Sequence, residues 1–158
     1  MTDPERFSAG TNNGPRSNMK EFMEKGSYNV LMDVPELEGM KQAWQRDRYE
    51  VDAEFINAMK NFSWEVLQVY SPPPVIGFSW RHWGNFTGKW QGNQGDGQLV
   101  ELFGFSIVDI TGGKLGRFEN FFDAKSFVQV LRGEKSADEL KQPNSAEIYP
   151  QIIDKRNE

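Results

Sequence analysis

The chain has no cysteine and a single histidine, His82. Without thiols it can form no disulfide, no thiolate metal site and no cysteine nucleophile. One imidazole would leave any zinc ion to draw its other ligands from carboxylates, so no metal or cofactor is expected. Positive charge is also scarce. Eighteen Lys+Arg against 23 Asp+Glu leave a formal net charge of −5, which argues against a nucleic-acid partner, because phosphate binding needs a basic patch. No run approaches the roughly 20 apolar residues of a membrane span. The N-terminal MTDPERFSAG lacks the apolar core of a signal peptide, and with the missing disulfides this makes a cytoplasmic location the expectation. Hydrophobic residues are few, at 37%, and mean hydropathy is −0.67.

Aromatics are abundant: 13% of the 158 residues, with 12 Phe and 5 Trp. A wholly disordered chain would be poor in them. At about 150 residues per domain, the expectation is one aromatic-rich domain flanked by polar tails. Residues 1–18, with two Gly, two Pro and three Asn, read as a disordered N-terminal tail. In 19–32, Met19, Phe22 and Met23 fall at helical spacing. Pro35 can open a further helix with Leu37, Met40 and Trp44 as its stripe, and another is expected over 52–61, capped by Asp52.

From Trp64 the period changes to two. Trp64 to Tyr70 reads as a strand ended by Pro72, Pro73 and Pro74, which cannot donate to a ladder. Val75 to about Phe86 is a second, with Ile76, Phe78, Trp80 and His82 on one face and Val75, Gly77, Ser79, Arg81 and Trp83 on the other. Gly88 to Gly97 reads as a hairpin loop, without the spacing of a phosphate cradle. Leu99 to Ile110 is a third strand, Thr111-Gly112-Gly113-Lys114 a tight turn and Leu115 to Phe122 a fourth strand. Residues 124–132 read as a helix closed by Gly133, and 134–158 as a polar C-terminal tail. Helices, then an antiparallel meander, then a helix make an α+β layout with helices on one face of a curved sheet. Such an arrangement tends to leave a pocket between the layers.

Phe62-Ser63-Trp64-Glu65-Val66-Leu67-Gln68-Val69-Tyr70-Ser71, Pro73-Pro74-Val75-Ile76 and Arg81-His82-Trp83-Gly84 resemble the plant pathogen-related proteins, in the SnoaL-like branch of the nuclear-transport-factor-two-like (NTF2-like) superfamily. Gly26-Ser27-Tyr28-Asn29, Gly97, Leu102-Phe103-Gly104, Phe121-Phe122-Asp123 and Leu131-Arg132-Gly133 continue the likeness, which spans roughly 26–133. The resemblance implies a cone-shaped, curved antiparallel sheet, N-terminal helices over an internal cavity for an apolar small molecule, and a homodimer through the outer sheet face. Relatives include polyketide cyclases, isomerases, dehydratases, hydrolases and plain binding proteins, so the fold leaves the activity open.

His82 could act as general acid or base or be a structural histidine bonded to a carbonyl or carboxylate. By the resemblance, an acid on the terminal strand is a candidate proton shuttle, and Asp123 best matches it. The same residue precedes AKSFVQVL and could merely cap that helix. Glu101 interrupts an apolar face and must pair or do chemistry if buried, with Arg81 its natural ion partner. Glu119 shares a face with Phe121 and Asp123 and is a further candidate. Trp64, Phe78, Trp80, Phe103, Phe105 and Phe121 are candidate cavity walls, with Trp80 and His82 placed inward. The expected function is a cofactor-independent enzyme (cyclase, isomerase, dehydratase or hydrolase) acting by acid–base chemistry on an apolar oxygenated substrate. A binding protein for such a ligand is the alternative, and an interaction scaffold the third.

Overall fold

The computed structural model describes residues 3–26, Val30, Val34 and 57–140. The helix expected to open at Pro35 and the start of that over 52–61 lie outside these residues. The elements are β1 (Ser8–Thr11), β2 (Arg16–Asn18), α1 (Met19–Lys25), β3 (Met59–Val69), β4 (Val75–Phe86), β5 (Lys89–Trp90), β6 (Asn93–Gln94), β7 (Leu99–Thr111), β8 (Lys114–Phe122) and α2 (Ala124–Leu131). A 3-10 turn follows at Ala137–Glu139.

Six strands form one curved sheet in the order β2-β1-β8-β7-β4-β3. The meander β3-β4-β7-β8 is antiparallel, as the strand pattern predicts. Gly112 and Gly113, at φ 60° and 72°, make the two-residue turn between β7 and β8. This is the conformation that glycine adopts without steric cost. The 87–97 loop holds the small β5-β6 hairpin, whose Trp90 is driven into the core.

Three expectations are corrected. The N-terminal segment is no loose tail. β1 runs parallel to β8 and antiparallel to β2, which makes the sheet mixed, and Phe7, Ala9 and Thr11 are buried. Its strands are short and built of small or polar residues, so they carry no hydrophobic alternation. Their signal is the Asn12-Asn13 turn, with both residues at positive φ (51° and 56°) and the Gly14 N–H donating back to the Thr11 carbonyl, a backbone that asparagine tolerates. Asn12 also extends the pairing, because its amide donates to the Phe122 carbonyl and accepts from the Phe122 N–H. Second, β3 begins at Met59, so the helix expected to reach 61 ends at Ala58. Asn61 lies at φ 56°, within an irregularity between Lys60 and Ser63 that breaks the period of two. Third, the start of the C-terminal tail is ordered. The 3-10 turn has a capping box between Ser136 and Glu139, and Ala137 and Leu140 pack on the core.

Register defines two faces. Phe78 pairs with Ser106, Trp80 with Gly104 and His82 with Leu102, while Gly104 pairs with Phe122 and Ser106 with Asn120. These residues share the inner face. α2 covers one end of it through Phe127, Val128, Val130 and Leu131, together with Trp80, Phe86, Val100, Leu102 and Phe122. Met19 and Phe22 of α1 cover the other end, against Phe7, Ala9, Val30 and Phe118. The sheet's inner face thus carries two apolar clusters.

Candidate functional site on the inner sheet face

β4 brings Phe78, Trp80 and His82 to the inner face in alternate positions. The His82 ring lies flat on Phe62, with centroids 3.6 Å apart and planes within 17°. Phe62 in turn stacks toward Phe127 of α2 at 6.3 Å. The His82 Nδ1 is 2.7 Å from the Ser63 carbonyl oxygen. A carbonyl can only accept, so Nδ1 carries the proton and Nε2 is left with its lone pair. Burial pushes the imidazole pKa down from 6.5 to about 4, only partly offset by the Ser63 hydrogen bond. At neutral pH His82 is therefore uncharged, an acceptor through Nε2, and a weak base.

A second polar feature lies deeper. The Trp80 indole N–H donates to Ser106 Oγ at 2.8 Å and to Asn120 Oδ1 at 3.1 Å, and the Ser106 hydroxyl donates to the same Asn120 oxygen at 2.7 Å. All three residues are buried. Gly104 makes room for this, since a Cβ there would collide with the Trp80 indole.

The proposed acids are elsewhere. Asp123 is exposed and caps α2, accepting from the Ser126 N–H at 2.9 Å. Of the two roles the sequence left open for it, the structure shows the helix cap. The strand ends one residue before it, and the helix needs an acceptor for its first free N–H groups. Glu101 pairs with Trp83 in register and so lies on the outer face. There it meets Arg81, whose Nε is 2.8 Å from Glu101 Oε1, close but not aligned as a hydrogen bond. Arg81 also reaches Glu65 at 3.2 Å and lies 4.3 Å over the Trp83 ring. Glu119 is the most buried of the three, with its side chain 6% exposed, yet it too is on the outer face. It is clamped by Arg117 and by Arg16, the latter at 3.2 Å across Gly10. Both glutamates are ion-paired, and neither is brought to His82.

The aromatic candidates divide in the same way. Phe78 and Trp80 are inward, and Trp64 meets Phe78 edge-on at 6.3 Å, although Trp64 is 51% exposed on the edge strand. Phe103, Phe105 and Phe121 are outward by register. Phe105 is nonetheless buried, packed against Tyr70 and Gly77. These three cannot share one cavity with Trp80. Sequence reasoning missed Ser106, Asn120 and Gly104. The available signal was a polar residue at an inward position between apolar ones, as with Asn120 between Phe118 and Phe122, together with the acceptor that a buried indole requires.

Among the described residues no group of three or more His, Asp and Glu could hold a metal ion. No described helix is long and apolar enough to cross a membrane.

No family model and no curated relative matches the chain. Solved structures do. IdmH from Streptomyces antibioticus, a candidate polyketide cyclase, aligns over 84% of this chain and 82% of its own, at 9% identity and TM-score 0.54. AclR from Streptomyces galilaeus, a candidate hydroxylase, aligns over 85% and 79% at 10% identity and TM-score 0.51. An NTF2-like protein from Burkholderia thailandensis aligns over 83% and 78% at 11% identity and TM-score 0.50. The chain has the NTF2-like fold. At these identities the likeness is one of architecture, an α+β cone, and the chemistry must be argued from the chain's own side chains.

Proposed function

We propose that this SnoaL-like chain holds an apolar, oxygen-bearing small molecule against the inner sheet face, without a cofactor, and that His82 receives a hydroxyl of that molecule. The observation that carries this reading is the state of His82: neutral, stacked on Phe62, its Nδ1 proton committed to Ser63 and its Nε2 with no hydrogen bond among the described residues. Phe78 and Trp80 supply the apolar wall beside it. Binding is favoured over two-group acid–base catalysis because Asp123, Glu101 and Glu119 are all engaged elsewhere. A base with a pKa near 4 is also poorly matched to neutral pH.

Cyclase-type turnover is the second reading, drawn from the description of IdmH. His82 Nε2 would be its single proton acceptor. A cytoplasmic location, argued from the cysteine-free sequence, and a homodimer through the outer face around Trp83, Phe103 and Phe121 belong to the same proposal.

Native mass spectrometry of the freshly purified chain tests it. A retained apolar, oxygenated molecule is expected, and His82→Phe, which keeps the ring stack and removes the acceptor, should weaken retention roughly two- to tenfold, the worth of one hydrogen bond. Turnover of that molecule by wild type but not by His82→Phe would favour the second reading. A chain that retains nothing and binds no aromatic alcohol contradicts both.

A further inference from the structure

The Asn120 side chain has its acceptor side fully used. The indole of Trp80 is a donor only, so the Asn120 atom 3.1 Å from it must be the amide oxygen, and that oxygen takes the Ser106 hydroxyl as well. The amide cannot flip without setting donor against donor. Its NH2 group is thereby aimed away from Trp80 and Ser106, and it has no acceptor among the described residues. Asn120 is only 8% exposed overall, and its NH2 group keeps contact with solvent, so water satisfies it until a ligand oxygen takes that place. It stands on the inner face, opposite Ser106 in register, where β8 runs from Phe118 of one apolar cluster to Phe122 of the other.

From this geometry we infer that Trp80, Ser106 and Asn120 form a preset amide-donor subsite for a carbonyl or other acceptor oxygen of an apolar ligand. Asn120 Nδ2 makes the contact. Ser106 and Trp80 are positioning residues that lock its orientation, and Gly104 admits the Trp80 ring to that lock. The inference rests on the reading of the inner face as a small-molecule site and adds the ligand class. By strand and residue spacing Asn120 and His82 are on the order of 15 Å apart. A ligand touching both must be elongated, with a carbonyl toward one end and a hydroxyl toward the other.

The probes are 1-tetralone and tetralin, the same ring skeleton with and without a carbonyl, titrated into the full chain labelled with 15N. The Asn120 NH2 signals are assigned through their contacts with the Trp80 indole N–H. In a cavity without a donor the ketone binds less well than the hydrocarbon, because its oxygen loses water for nothing. With the subsite present, 1-tetralone should bind at least as tightly as tetralin and should shift the Asn120 NH2 signals, while tetralin leaves them unmoved. Asn120→Asp, and independently Ser106→Ala should the first not fold, should weaken 1-tetralone roughly two- to tenfold with tetralin unchanged. If both probes bind but the NH2 signals do not respond, or the ketone binds more weakly to wild type, the donor subsite is overturned and the small-molecule reading stands. If neither probe binds, both are overturned.

Discussion

His82 shows how one residue's surroundings set its chemistry. The same imidazole would titrate near neutrality in water, but burial against Phe62 keeps it neutral down to about pH 4, even though the Ser63 carbonyl pulls the other way. The folded pKa lies below the unfolded 6.5, so the unfolded chain binds more protons between those values. Stability from this group is therefore complete above about pH 6.5 and is lost as the pH falls toward 4. Urea midpoints at about pH 7 and about pH 4.5 should drop further for wild type than for His82→Gln, and parallel profiles would contradict the burial. Gly104 is the other decisive residue. Gly104→Ala forces a methyl group into the Trp80 indole. It should cost roughly 1–3 kcal/mol, the range for overpacking, with a changed near-ultraviolet circular dichroism signal from tryptophan.

At the scale of elements, the acids are sorted by strand parity and strand ends. Glu101 and Glu119 occupy odd positions of β7 and β8, and the inner face takes the even ones. Asp123 is the residue at which strand becomes helix, and its carboxylate serves the α2 N–H groups. Asp123→Ala should destabilise the fold by about 0.5–2 kcal/mol, as loss of a helix cap does, and leave probe binding to the folded chain unchanged. Thermal unfolding and a tetralin titration check the two halves of that statement. A loss of binding in a variant that stays folded would return Asp123 to the site.

For the molecule as a whole, the first strand closes the sheet. β1 joins β8 across more than a hundred residues of sequence, and Asn12 clasps Phe122 with two hydrogen bonds. Removing residues 1–13 would bare the β8 edge, take Phe7 and Ala9 out of their cluster and so uncover Met19, Phe22 and Phe118, and leave the buried Glu119 without Gly10 beside it. The truncated chain should unfold at lower urea and aggregate, since an unpaired apolar edge is a template for pairing. A truncation with unchanged stability would show β1 to be dispensable.

Alternation and turn chemistry, which are local properties, determined the meander, its Gly112-Gly113 turn, α2 and the sharing of one face by Phe78, Trp80 and His82. The short strands of 8–18 escaped because four small residues carry no period; they fold by docking on β8, a partner distant in sequence. Tertiary structure alone decided which charges are buried and with whom. Glu119 needs Arg16 from the other end of the chain, and the Asn120 amide takes its direction from an indole two strands away. Sequence spacing fixes which face a side chain occupies, but the partner that orients it is chosen only when distant strands come to lie side by side.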